Sequence, residues 1–157
     1  MKNNVSFNST LTKFGMGLFE TIKVTDYPLD LDLHMNRLFN SIKELNLSIE
    51  NDKEFYKETI LKYIKENNVK NKALRLTVFD EGYNISLRDI TYNEDTYKKG
   101  FSLCISPIKR GDSIIYRHKT TNYFESMYSK HYATDRNFND AIFLDSLSNI
   151  LECSMSN

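Results

Sequence analysis

A chain of 157 residues is long enough for one domain or a small domain with part of another, and 40% apolar residues suffice for a core. Lysine and arginine balance aspartate and glutamate at 21 each, so neither a nucleic-acid-binding surplus nor an acidic tail is present. No apolar run is long enough to span a membrane and no signal-peptide pattern opens the chain; Cys104 and Cys153 have neither metal-ligand nor disulfide-framework spacing, which together point to the reduced cytoplasm.

Residues 18–24 read as a strand entered through Gly15 and Gly17, with Leu18, Ile22 and Val24 on one side and Phe19, Thr21 and Lys23 on the other. A turn at Asp26-Tyr27-Pro28 ends it. A helix is expected from about Asp32, with Leu38, Ile42 and Leu45 at helical spacing and Asp30 or Asp32 as its cap. A second helix covers about 52–67, with Phe55, Ile60 and Ile64 on its buried side.

Leu74, Leu76 and Val78 alternate with Ala73, Arg75 and Thr77, which predicts a half-buried strand over 73–79. Glu81-Gly82 turns the chain into a return strand over 83–92. Phe101, Leu103 and Ile105 alternate with Ser102, Cys104 and Ser106 in another strand. Pro107 to Ser113 has the composition of a linker. A helix from about Thr121 to Arg136 carries Phe124, Met127 and His131 on one side, and strands at 140–145 and 149–153 follow. There are no repeats and no low-complexity tract. The pattern is α+β with mostly antiparallel pairing: a complete small α/β domain over 1–107, a linker over 108–113, and a segment over 114–157. One helix and two strands rarely make an independent core, so this segment reads as the incomplete start of a larger domain.

Lys119 and Glu152 supply an amine and a carboxylate, 152 − 119 = 33 residues apart. A pyridoxal phosphate enzyme needs both: the amine to hold the cofactor aldehyde as a Schiff base, the carboxylate to keep the pyridine nitrogen protonated. Taken singly, Lys119 also reads as a solvated lysine and Glu152 as an edge-strand charge that discourages aggregation. Arg37, near the start of a helix, offers the forked donors a phosphate needs, or pairs on the surface with Asp30 or Glu44. Tyr123, four residues after Lys119, either hydrogen-bonds a cofactor oxygen or packs. His34 reads as a structural residue at the helix start, and Gly15-Met16-Gly17 is too short a signal for a phosphate loop.

Three blocks in order resemble the class IV aminotransferases, the fold-type IV pyridoxal phosphate enzymes. Phe14-Gly15-Met16-Gly17-Leu18-Phe19-Glu20-Thr21 is similar to the family's Gly-Asp-Gly opening, with Met16 where aspartate is usual. Leu33-His34-Met35-Asn36-Arg37-Leu38 is similar to its His-x-x-Arg-Leu helix start, and His118 to Asn157 to its lysine-to-glutamate segment ending Glu-x-x-x-x-Asn. The resemblance implies a two-domain fold and a pyridoxal 5'-phosphate cofactor. It makes Lys119 the Schiff-base lysine, Glu152 the pyridine-nitrogen partner, Arg37 a phosphate ligand, and Tyr123 and Asn157 further cofactor contacts. It also implies a small amino substrate, a homodimer, and a family chain that continues past Asn157. Lys-Thr-x-Asn after His118, Leu144-Asp145-Ser146 and Glu152-Cys153 look most like 4-amino-4-deoxychorismate lyase. Branched-chain or D-amino-acid aminotransferase is the alternative within the family, and a non-catalytic fragment or binding scaffold the alternative outside it.

Overall fold

The structure, a computed structural model, describes residues 1–156; Asn157 lies outside the described residues. The chain divides into two compact units. Residues 1–90 join with His118–Asn122 in the first, and 91–117 join with the chain from Tyr123 onward in the second.

The first unit is built on an antiparallel sheet of order β1-β2-β3, with β1 Gly17–Val24, β2 Lys72–Phe79 and β3 Gly82–Asp89. Glycines frame β1. A short helix α1, Thr10–Phe14, is capped by the Ser9 hydroxyl and closed by Gly15 in the left-handed conformation at φ 67°. A side chain on Gly17 would meet Leu11, the Thr121 hydroxyl and the Val78 carbonyl at 3.0–3.1 Å. Leu74, Leu76 and Val78 are fully buried, as their alternation requires.

Two helices cover the inner face of this sheet, α2 Leu31–Glu44 and α3 Lys53–Glu66. Their apolar faces join Leu18, Ile22, Val24, Leu74, Leu76, Val78 and Ile85 in one core. Each buried leucine or isoleucine contributes roughly 1.5–3 kcal/mol. The Asp52 carboxylate caps α3 through the Phe55 N–H at 2.8 Å. Two expectations need correction. Asp30 takes the N-cap position of α2 in a left-handed conformation with no capping hydrogen bond from its side chain, and Asp32 pairs with Lys57 at 2.8 Å. On α3 the inward residue is Tyr56, fully buried in register with Ile60 and Ile64 at four-residue steps, while Phe55 is partly exposed and packs edge-on against Tyr56 and Tyr83.

In the second unit α4 Glu94–Lys99 precedes β4 Leu103–Lys109, and a 3₁₀ turn at Ile114–Arg117 follows it. The unit continues through α5 Phe124–Thr134, β5 Asp140–Leu144 and β6 Ile150–Cys153. Its sheet has the order β4-β5-β6; β4 and β5 are parallel, bridged by α5, and β5 and β6 antiparallel. Small residues take the buried positions of β4 and α5. Ser106 is buried on β4, whereas Leu103 and Ile105 are exposed. On α5 the buried residues are Ser126, Ser129 and Ala133, whereas Phe124, Met127 and His131 are exposed. One contact explains both: the Ser106 and Ser129 hydroxyls meet at 2.9 Å in the interior, so the helix seats on the strand through its small residues.

Candidate active site

Residues 118–122 fold with the first unit, along the edge of β1 that β2 leaves open. The Phe19 N–H donates to the Lys119 carbonyl at 2.9 Å, and the Thr121 N–H to the Gly17 carbonyl at 2.9 Å. Leu18 and Thr120 form an antiparallel bridge, and the Thr121 hydroxyl donates to the Gly15 carbonyl at 2.6 Å. This close approach is why position 17 has no room for a side chain. Lys119 is half-buried, with its Nζ 4.9 Å from the centre of the Phe19 ring; the Arg75 guanidinium lies 3.6 Å from the same ring.

The neighbouring side chain runs the other way. His118 is almost wholly buried against α2. The single Ser41 proton goes to the Arg37 carbonyl at 2.9 Å, so His118 Nδ1 donates to the Ser41 oxygen at 3.0 Å. His118 Nε2 faces Glu44 at 3.6 Å without a hydrogen-bond partner among the described residues. The backbone on both sides of Lys119 is thus fixed, by the histidine on one side and by the β1 pairing on the other.

Arg37 is set by a buried carboxylate. Glu20 lies on the inner face of β1 between Leu18 and Ile22, 1% exposed. Arg37 Nε donates to Glu20 Oε1 at 2.7 Å and Nη2 to Oε2 at 2.5 Å, while His34 Nδ1 approaches Oε2 at 2.7 Å. Burial, the largest single influence, pushes the Glu20 carboxyl upward. The hydrogen bonds from Arg37 and His34 and the Arg37 charge together outweigh it and hold Glu20 below the usual carboxylate range. Arg37 is raised in turn, chiefly by its hydrogen bond to Glu20. Asp30 and Glu44 are the surface partners expected for Arg37; its partner is instead the strand residue Glu20. The Arg37 side chain is half exposed, and among the described residues Nη1 is not engaged. Lys119 and Arg37 thus contact successive residues of β1, Phe19 and Glu20.

Glu152 and Tyr123 belong to the second unit. Tyr123 takes the N-cap position of α5, half-buried. Glu152 Oε1 accepts from Arg110 Nη1 in an ion pair. Asp140 gathers the turn after β6: its carboxylate accepts from the Ser154 and Ser156 hydroxyls and from the Ala141 and Met155 N–H groups.

The sequence model of the family amino-transferase class IV matches residues 17–157. The chain belongs to the class IV aminotransferase family. No curated protein matches it in sequence. Solved structures share its fold. One is a candidate 4-amino-4-deoxychorismate lyase of Legionella pneumophila, 19% identical, covering 98% of this chain and 61% of that one with a TM-score of 0.84. The Escherichia coli branched-chain amino acid aminotransferase is 21% identical over 97% of this chain and 58% of that one, at 0.84. The branched-chain aminotransferase of the thermophilic archaeon Thermoproteus uzoniensis, with norvaline, is 20% identical over 98% and 58%, at 0.83. The chain therefore spans about three-fifths of the length of these structures.

Two side chains of this class IV chain escaped the sequence reading. Glu20 carried a signal: the alternation that turns Leu18, Ile22 and Val24 inward turns Glu20 inward too, and a carboxylate there requires cations. Arg110 carried none, because its neighbours Lys109, Gly111 and Asp112 are those of a solvated loop.

Proposed function

We propose that this chain forms the lysine- and glutamate-bearing part of a pyridoxal phosphate-dependent class IV enzyme, and that its reaction is the 4-amino-4-deoxychorismate lyase reaction, which releases pyruvate and leaves 4-aminobenzoate. The observation that carries the cofactor assignment is the pinned lysine: Lys119 sits in a segment whose backbone is fixed on both sides, at the position the family's motif gives its reactive amine. The donor set fits the cofactor's chemistry. It offers a half-buried amine, a forked cation with a free donor edge, and a carboxylate already fixed through one oxygen.

Pyridoxal phosphate, when bound, supplies an aromatic ring that withdraws electrons from the substrate carbon. Arg37 would contact its phosphate through Nη1, the donors that Glu20 leaves free. Glu152 would accept a hydrogen bond from the protonated ring nitrogen. Lys119 would hold the cofactor at rest and then take the proton from the substrate's amine-bearing carbon. The amino substrate and a homodimeric, cytoplasmic enzyme of folate synthesis complete the reading. The motifs Leu144-Asp145-Ser146 and Glu152-Cys153, with Lys-Thr-x-Asn after His118, support the lyase. Tyr123 supports a second reading, a branched-chain aminotransferase; the shared lysine, glutamate and arginine serve either reaction, and a D-amino-acid aminotransferase as well.

The full-length protein, supplied with pyridoxal phosphate, is assayed with aminodeoxychorismate beside leucine and D-alanine. Release of 4-aminobenzoate and pyruvate, lost in Lys119→Ala, supports the lyase. Transamination of leucine or D-alanine alone replaces it with an aminotransferase. A protein that stays colourless and yields no lysine-linked cofactor after borohydride reduction refutes the cofactor assignment.

A further inference from the structure

Arg110 directly follows β4, and its N–H donates to the Leu144 carbonyl at 2.9 Å, extending the pairing with β5. The backbone is therefore fixed, and the side chain continues the inward row of Ser106 and Ile108 towards α5. Arg110 is 7% exposed. A guanidinium keeps its charge at any working pH, so its burial demands compensation from the surrounding groups.

The group is contacted from several sides, while its Nε is buried without a hydrogen-bond partner among the described residues. Nη1 pairs with Glu152 Oε1, and Nη2 donates to the Ser126 hydroxyl at 3.0 Å. The Phe143 ring lies 3.7 Å from Cζ and the Tyr116 ring 5.0 Å, while Glu125 Oε2 stands 3.8 Å from Nε. Four elements thus converge on one cation: β5, β6, α5 and the 3₁₀ turn. The burial of the pair is lopsided, with Arg110 enclosed and Glu152 half exposed. The cation holds the acid from below through one oxygen, and among the described residues the second oxygen is not engaged.

We propose that Arg110 is the positioning residue for Glu152, fixing its carboxylate so that the free oxygen accepts a hydrogen bond from a protonated aromatic nitrogen. This rests on the pyridoxal phosphate reading given above. The guanidinium orients the acid; without it, a glutamate side chain on a strand samples several rotamers and loses entropy whenever it engages a ligand. The Ser126 bond and the two aromatic faces stop the guanidinium from following Glu152 outward, so the preorganisation belongs to the whole cluster.

The test is a double-mutant cycle read by binding. Pyridoxal 5'-phosphate is titrated into the full-length protein, the dissociation constant is followed by visible absorbance, and circular dichroism checks folding. Arg110→Met is expected to weaken binding about tenfold, the equivalent of one charge-assisted hydrogen bond. It should also change the absorbance band in the same sense as Glu152→Gln. In the Glu152→Gln background Arg110→Met should cost less than about twofold, because its route to the cofactor is already cut. Arg110→Lys should recover part of the affinity. Ser126→Ala, which keeps the charge pair and frees one side of the guanidinium, should weaken binding about two- to threefold by the same route and covers the case in which Arg110→Met does not fold. Equal losses in both backgrounds, or wild-type affinity in both Arg110→Met and Ser126→Ala while Glu152→Gln still weakens binding, overturn the role of Arg110 and leave the cofactor reading standing. If Glu152→Gln itself leaves affinity and spectrum unchanged, the Glu152 assignment falls, and this inference with it.

Discussion

Replacing Glu20 by glutamine removes one charge from the interior of the first unit and leaves its shape almost unchanged. Two side chains depend on it: Arg37 through two hydrogen bonds at 2.7 and 2.5 Å, and His34 through one at 2.7 Å. Removing one partner of a fully buried pair costs about 3–5 kcal/mol. Arg37 is 53% exposed, so water recovers part of its charge, and glutamine keeps an acceptor. The expected loss is therefore about 2 kcal/mol at neutral pH, or roughly 4–8 °C in Tm for a chain of this size. The pH dependence follows from the depressed carboxyl. Glu20's contribution is complete above the unfolded carboxylate value near 4.3 and is lost as pH falls through the lower folded value. Urea denaturation followed by far-ultraviolet circular dichroism at a series of pH values should show wild type more stable at pH 7 and the two proteins converging as pH falls through the lowered Glu20 value. Equal stability at pH 7, or a gap that stays constant into acid, would refute the claim that the ionised Glu20 organises Arg37 and His34.

Gly17→Ala should destabilise the protein by about 1–3 kcal/mol, because the added methyl meets the Val78 carbonyl at 3.1 Å and backbone cannot swing aside; faster amide exchange at Phe19 and Thr121 would localise the damage to the β1 edge. Asp140→Asn should cost about 2 kcal/mol at neutral pH, since four donors share the carboxylate. Burial alone raises Asp140, but those hydrogen bonds lower it below the usual range, so the difference from wild type should shrink as pH falls through that lowered value; a pH-independent difference in urea midpoints would contradict this.

The parts of the fold that could be read in advance are those where large apolar residues alternate with polar ones. β1 and the hairpin of β2 and β3 have this pattern, and the core falls where Leu74, Leu76 and Val78 place it. The pattern misleads where the interior is made of small residues. On β4 and α5 the large side chains Ile105 and Phe124 face outward while Ser106, Ser126 and Ser129 turn in, because hydroxyl pairing and close approach decide the seat of the helix. At the candidate site, Lys119, Arg37 and Glu152 were legible as members of motifs, each recognised by neighbours in sequence. Glu20 and Arg110, which hold Arg37 and Glu152 in place, act across 17 and 42 residues, and no local spacing encodes such pairings.

The strip His118–Asn122 gives β1 its outer partner from far along the chain: Phe19 bonds to Lys119, 119 − 19 = 100 residues later. At ribosomal speeds of about 5–20 residues per second, that strip is made about 5–20 s after the strand it covers. During synthesis the early sheet therefore waits with an open flank, a ready template for any stray strand. Once Lys119's strip docks, it closes that flank and brings the amine into register in a single event.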